Sequence, residues 1–64
     1  MLDSEYLKKI RLEKGYTQES LARILNITLK SYQNIEYNKS CPNAKTLLEL
    51  CKILNIDPFK LYKL

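Results

Sequence analysis

The sequence predicts an all-α fold of five short helices, and three observations predict it. A helix-capping residue with an apolar group just before it and another four residues after it occurs five times. Residues that tolerate a left-handed backbone fall between these starts. Apolar side chains recur at spacings of three and four, and no stretch alternates convincingly with period two.

Asp3, between Leu2 and Leu7, opens the first helix, whose inward side carries Leu7, Ile10 and the aliphatic stem of Lys14; Gly15 ends it. Thr17, with Tyr16 and Leu21, opens the second, which turns Leu21, Ile24 and Leu25 inward and ends at Asn26. Thr28, with Ile27 and Tyr32, opens the third; Tyr32 and Ile35 face the core and Asn38 ends the helix. Asn43, with Pro42 and Leu47, starts a fourth helix that buries Leu47, Leu50, Cys51 and Leu54 and stops at Asn55. Asp57, with Ile56 and Leu61, starts the fifth, and Pro58 takes the favoured first helical position. The loops are too short for a linker, so residues 1–64 are expected to form one domain.

A chain of 64 residues buries only about 60% of its unfolded surface, so function is expected on the surface and stability to be modest or supplemented by dimerisation. A net charge of +4 and a pI near 9.2 suit a partner that is a polyanion. No apolar run approaches the roughly 18 residues of a membrane span, and the first residues lack the pattern of a signal peptide; a cytoplasmic protein is expected. Cys51 falls on an apolar helical face and Cys41 in a loop, both expected as reduced thiols. With no histidine, no Cys-x-x-Cys, no phosphate-binding glycine loop and no activated nucleophile, the sequence offers no metal site, no cofactor, no evident small-molecule effector and no enzyme.

The string Ile24 to Thr28 is nearly repeated at Ile53 to Asp57, and either could be the turn of a helix-turn-helix. The helix after the first carries Lys30, Ser31, Gln33 and Asn34, which suit a nucleic-acid groove, whereas the helix after the second is largely apolar. At 100° per residue, Tyr32, Ile35 and Glu36, with Leu29 at the edge, share one side; Lys30, Gln33, Asn34 and Tyr37 share the other. Between Asn26 and Lys45 the only acid is Glu36, on the inward side. Asn and Gln can bond adenine's N6 and N7 together, and Lys can donate to guanine's O6 and N7.

Residues Leu7 to Leu61 resemble the Cro and phage-repressor type, or XRE-like, helix-turn-helix family. The resemblance rests on Leu7, Ile10 and Arg11, then Thr17-Gln18-Glu19-Ser20-Leu21-Ala22, Ile35-Glu36, and finally Leu47-Leu48, Leu54 and Ile56. It implies a lambda-repressor-like domain in which helices 2 and 3 form the motif and the third, about Thr28 to Tyr37, enters the major groove of operator DNA. It implies that Thr17 and Gln18 meet phosphate, with Gln18 also buttressing the third helix. By the same resemblance Thr28, Leu29, Lys30 and Asn34 read bases or flanking phosphates, and Asn38, Lys39 and Ser40 form a loop that grips the backbone. Arg11 and Glu36 match a partly buried ion pair of the family; two unrelated surface charges are the alternative. The chain departs from the family in having Asn26 and Asn38 where glycine is common, and Tyr32 where a smaller aliphatic residue is usual.

The last helix carries more apolar residues than so short an element readily buries. Phe59 and Leu61 are expected to turn inward, leaving Tyr62 and Leu64 for a homodimer contact; completion of a monomer's core is the alternative. The expected function is sequence-specific binding of double-stranded DNA by a transcriptional regulator, read first as a repressor, as a homodimer on a palindromic operator. A protein-interaction module on the same fold is the second possibility.

Overall fold

The computed structural model of the chain describes residues 2–62. Among them are five helices: α1 (Ser4–Glu13), α2 (Gln18–Leu25), α3 (Leu29–Glu36), α4 (Ala44–Leu54) and α5 (Pro58–Leu61). Each opens on the residue that the capping pattern marks. Asp3, Thr17, Thr28, Asn43 and Asp57 accept, through their side chains, the backbone N–H of Tyr6, Ser20, Ser31, Thr46 and Phe59 respectively. The stops are equally local: Gly15 (φ 83°), Asn26 (59°), Asn38 (62°) and Asn55 (55°) all adopt the left-handed backbone that glycine and asparagine tolerate best.

These short elements are held by one core, in which Leu2, Leu7, Leu21, Leu25, Tyr32, Ile35, Leu50, Cys51, Leu54 and Leu61 are buried. α2 packs most closely on α3, and Ala22, also buried, lets the two backbones approach at the turn. α1 packs on α3 and α5, while α4 lies against α2 and α5. Burial pushes the Cys51 thiol pKa up, with the Asp57 charge adding to it, which keeps this sulfur protonated in the core; Cys41 is exposed.

Two sequence expectations are corrected. Phe59 does not turn inward: it is 84% exposed. α5 is barely one turn long, and once it commits Leu61 to the core, a residue two positions earlier points to the other side. Ile24 is also exposed, because the buried stripe of α2 runs through Leu21, Ala22 and Leu25. Conversely, Leu2 is more than a staple. It forms an isolated antiparallel bridge with Tyr62, and the N–H of Asp3 donates to the Leu61 carbonyl at 2.7 Å. Tyr62 is half-buried by this pairing; Leu64, the other residue expected at a dimer contact, lies outside the described residues. Among the described residues no helix is long and apolar enough to cross a membrane.

Candidate nucleic-acid interface

The α2–α3 unit is built around a left-handed asparagine. At Asn26 the chain leaves α2, its N–H bonding back to the Arg23 carbonyl at 3.1 Å, and Ile27 N–H returns to Ala22 at 3.0 Å. Thr28 then caps α3. Its hydroxyl oxygen accepts from Ser31 N–H at 3.0 Å and its proton goes to Ser31 Oγ at 2.9 Å. Thr28 is therefore occupied by its own helix, and Ser31 is left with the outward donor. Thr17 differs. It shares a reciprocal capping box with Ser20, in which its hydroxyl only accepts, so its proton remains available on an exposed surface.

Behind α3 lies a buried polar cluster. Arg11 Nε donates to Glu36 Oε1 at 2.9 Å, with both side chains almost fully enclosed. Arg11 also donates through Nη1 to the Tyr16 carbonyl at 2.8 Å, tying the α1–α2 corner to the same ion pair. Gln18 Nε2 donates to the other carboxylate oxygen of Glu36 and to the Tyr37 hydroxyl, the latter at 3.1 Å. Gln18 Oε1 accepts from Gln33 Nε2 at 3.2 Å. Three helices thus meet on one carboxylate, and the angle of α3 is set by hydrogen bonds whose geometry is specific, rather than by apolar packing alone. Tyr32 lies beside this cluster with its hydroxyl buried and without a well-formed hydrogen bond. Burial pushes its pKa well above the ordinary tyrosine range; the Glu36 charge adds to the shift and the neighbouring Arg11 opposes it.

The outer side of α3 carries Lys30 and Ser31, both exposed, with Gln33 and Asn34 half-buried along its flank. Leu29, at the helix start, is exposed, so the face includes one apolar side chain able to meet a thymine methyl. The loop after α3 folds back on it: Lys39 and Ser40 N–H both donate to the Asn34 carbonyl, at 2.8 and 3.2 Å, and Asn38 N–H donates to Ile35 at 3.1 Å. This places Asn38, Lys39 and Ser40, all exposed, beside the helix end. The acids of α2 and α3 each lie against an arginine. Glu36 is buried against Arg11, and Glu19 pairs with Arg23 at 3.7 Å along α2.

Two features were not legible in the sequence. The hydroxyl of Tyr37 belongs to this cluster although its ring is 54% exposed. Gln33 shares its amide with Gln18, fifteen residues away, instead of projecting freely. Both depend on how α2 is set against α3, which residue spacing within one helix does not contain.

A family model described as helix-turn-helix matches residues 7–61. Similar curated proteins include the SPbeta prophage-derived uncharacterized HTH-type transcriptional regulator YonR of Bacillus subtilis (strain 168), 43% identical over 53 residues, covering 83% of this chain and 49% of that protein. The uncharacterized HTH-type transcriptional regulator YqaE of the same organism is 40% identical over 54 residues, covering 84% of this chain and 47% of that protein. The chain spans about half the length of these relatives.

Proposed function

The chain belongs to the XRE-like helix-turn-helix family, and on that premise we propose that it binds double-stranded DNA in a sequence-specific manner and regulates transcription, as a repressor. The observation that carries this reading is the outer face of α3: basic, free of acid, and held at a fixed angle by the buried Arg11–Glu36–Gln18 cluster. A helix presented in this way fits the major groove, with Lys30 and Asn34 meeting base edges and Leu29, Ser31 and Gln33 beside them. Thr17, Thr28, Asn38 and Lys39 lie at the margins, where the phosphate strands pass. The side chain of Thr28 is committed to its cap, so its part there falls to the start of α3, and Thr17 supplies a free hydroxyl.

A palindromic operator and a homodimer complete the proposal. The domain measures 28 × 23 × 19 Å, so two copies side by side set equivalent helices apart by a distance of the same order as the roughly 34 Å of one DNA turn. The exposed Phe59 and the half-buried Tyr62 of the C-terminal segment are the residues through which two copies would meet. The proposed location is the cytoplasm, with its DNA.

Selection from a random pool of duplexes at near-physiological salt tests the reading. Enrichment of a recurrent palindrome with half-sites about ten base pairs apart is expected. Binding without an enriched motif, fading as salt rises, would instead mean a nonspecific basic surface. On the selected duplex, Lys30→Ala is expected to weaken binding by about 1 to 3 kcal/mol, measured by titration across salt concentrations. Unchanged affinity would remove Lys30 from the reading face.

A further inference from the structure

The side-chain amide of Gln18 is fully used inside the protein, and following its hydrogen atoms leads to a donor elsewhere. A carboxylate only accepts hydrogen bonds, so the atom that Gln18 turns to Glu36 must be its amide nitrogen. That nitrogen has two hydrogens: one goes to Glu36 and the other to the Tyr37 hydroxyl. The amide oxygen is met by Gln33 Nε2. In this arrangement the side chain has no N–H to spare for a phosphate, so the phosphate contact that the family resemblance implies for Gln18 requires one of these bonds to be given up.

Tyr37 has what Gln18 lacks. Its oxygen accepts from Gln18, so its own proton is directed away from that contact, and a hydroxyl that already accepts is a better donor. The ring is exposed at the end of α3, and the hydroxyl lies at the first turn of α2, where backbone amides have no partner within the helix. Lys39, exposed and two residues further on, supplies a positive charge to the loop after α3. A neutral donor held against the first residue of α2 suits an oxygen of a DNA strand.

We infer that the Tyr37 hydroxyl donates a hydrogen bond to a backbone phosphate of bound DNA, and that Gln18 is a positioning residue that orients both Tyr37 and Gln33. The inference rests on the DNA-binding reading above. Its test uses the selected duplex and a series in which one phosphate at a time is replaced by an uncharged methylphosphonate. Tyr37→Phe is expected to raise the Kd about tenfold on the unmodified duplex, leaving the preferred base sequence unchanged. The slope of affinity against salt also stays the same, because no charge is removed. On the one duplex whose contacted phosphate is replaced, the variant should lose less than about twofold against the unaltered chain. An equal penalty on every duplex in the series, or no penalty at all, would overturn the assignment while leaving DNA binding intact. Failure of the unaltered chain to bind any duplex would overturn it together with the reading on which it rests.

Discussion

Tyr32 fills the middle of the core with a ring that packs well and a hydroxyl that does not bond well. Desolvating an unpaired hydroxyl costs about 1 to 3 kcal/mol, whereas phenylalanine keeps the ring and removes the cost. Tyr32→Phe is therefore expected to stabilise the domain by about 1 kcal/mol, read from urea unfolding. The pH dependence has a definite sign. Burial first, and the Glu36 charge second, raise the folded-state pKa above the ordinary 10.0, so the unfolded chain releases this proton before the folded one does. This group leaves stability independent of pH well below 10.0, and stability is lost progressively above it. The unfolding midpoint should fall more steeply on the alkaline side for the unaltered chain than for Tyr32→Phe, and parallel curves would count against this account. The sequence marked Tyr32 as an unusual occupant of its position, but whether its hydroxyl finds a partner depends on Arg11 being committed to Glu36 and Tyr16. That is a matter of three-dimensional competition for donors.

Helices, by contrast, are written locally. A cap, an apolar staple and a left-handed stop lie within a few residues of one another, so all five starts and the four left-handed stops could be read along the chain. Asn55 tests the stops without touching the proposed DNA face, since it ends α4 with φ 55°. Asn55→Ala puts a β-carbon into a left-handed conformation and is expected to cost about 1 to 2 kcal/mol, whereas Asn55→Gly should be neutral or slightly stabilising. Thermal unfolding of the two variants separates conformational cost from any lost side-chain contact, which would affect both alike. α5 is the element where local reading failed. With four residues there is no second turn to reveal which side repeats, so the outward position of Phe59 could not be told from the inward one of Leu61. The candidate site divides in the same way: the acid-free face of α3 is a property of one helix, while the sharing of Gln18 among Glu36, Tyr37 and Gln33 belongs to a pair.

For the whole molecule, the exposed Phe59 and the pairing of Leu2 with Tyr62 matter most. An aromatic side chain 84% exposed on so small a domain contributes little to the fold of one copy. If two copies meet there, Phe59→Ser should convert a two-chain mass to a one-chain mass in sedimentation at tens of micromolar, about 10 to 100 µM, with little change in the unfolding midpoint of the separated domain. A one-chain mass for the unaltered protein would remove the dimer, and a two-chain mass for Phe59→Ser would place its contact elsewhere. The pairing of Leu2 with Tyr62 has a different consequence, in time rather than in space. Translation delivers Leu61 and Tyr62 some sixty residues after Leu2, at about 5 to 20 residues per second. The backbone partner of Asp3 and the side chain that seals the core beside Leu2 therefore arrive after the other residues of this core. During those seconds α1 to α4 can form and associate, but the core beside Leu2 stays open until Leu61 and Tyr62 come back to it.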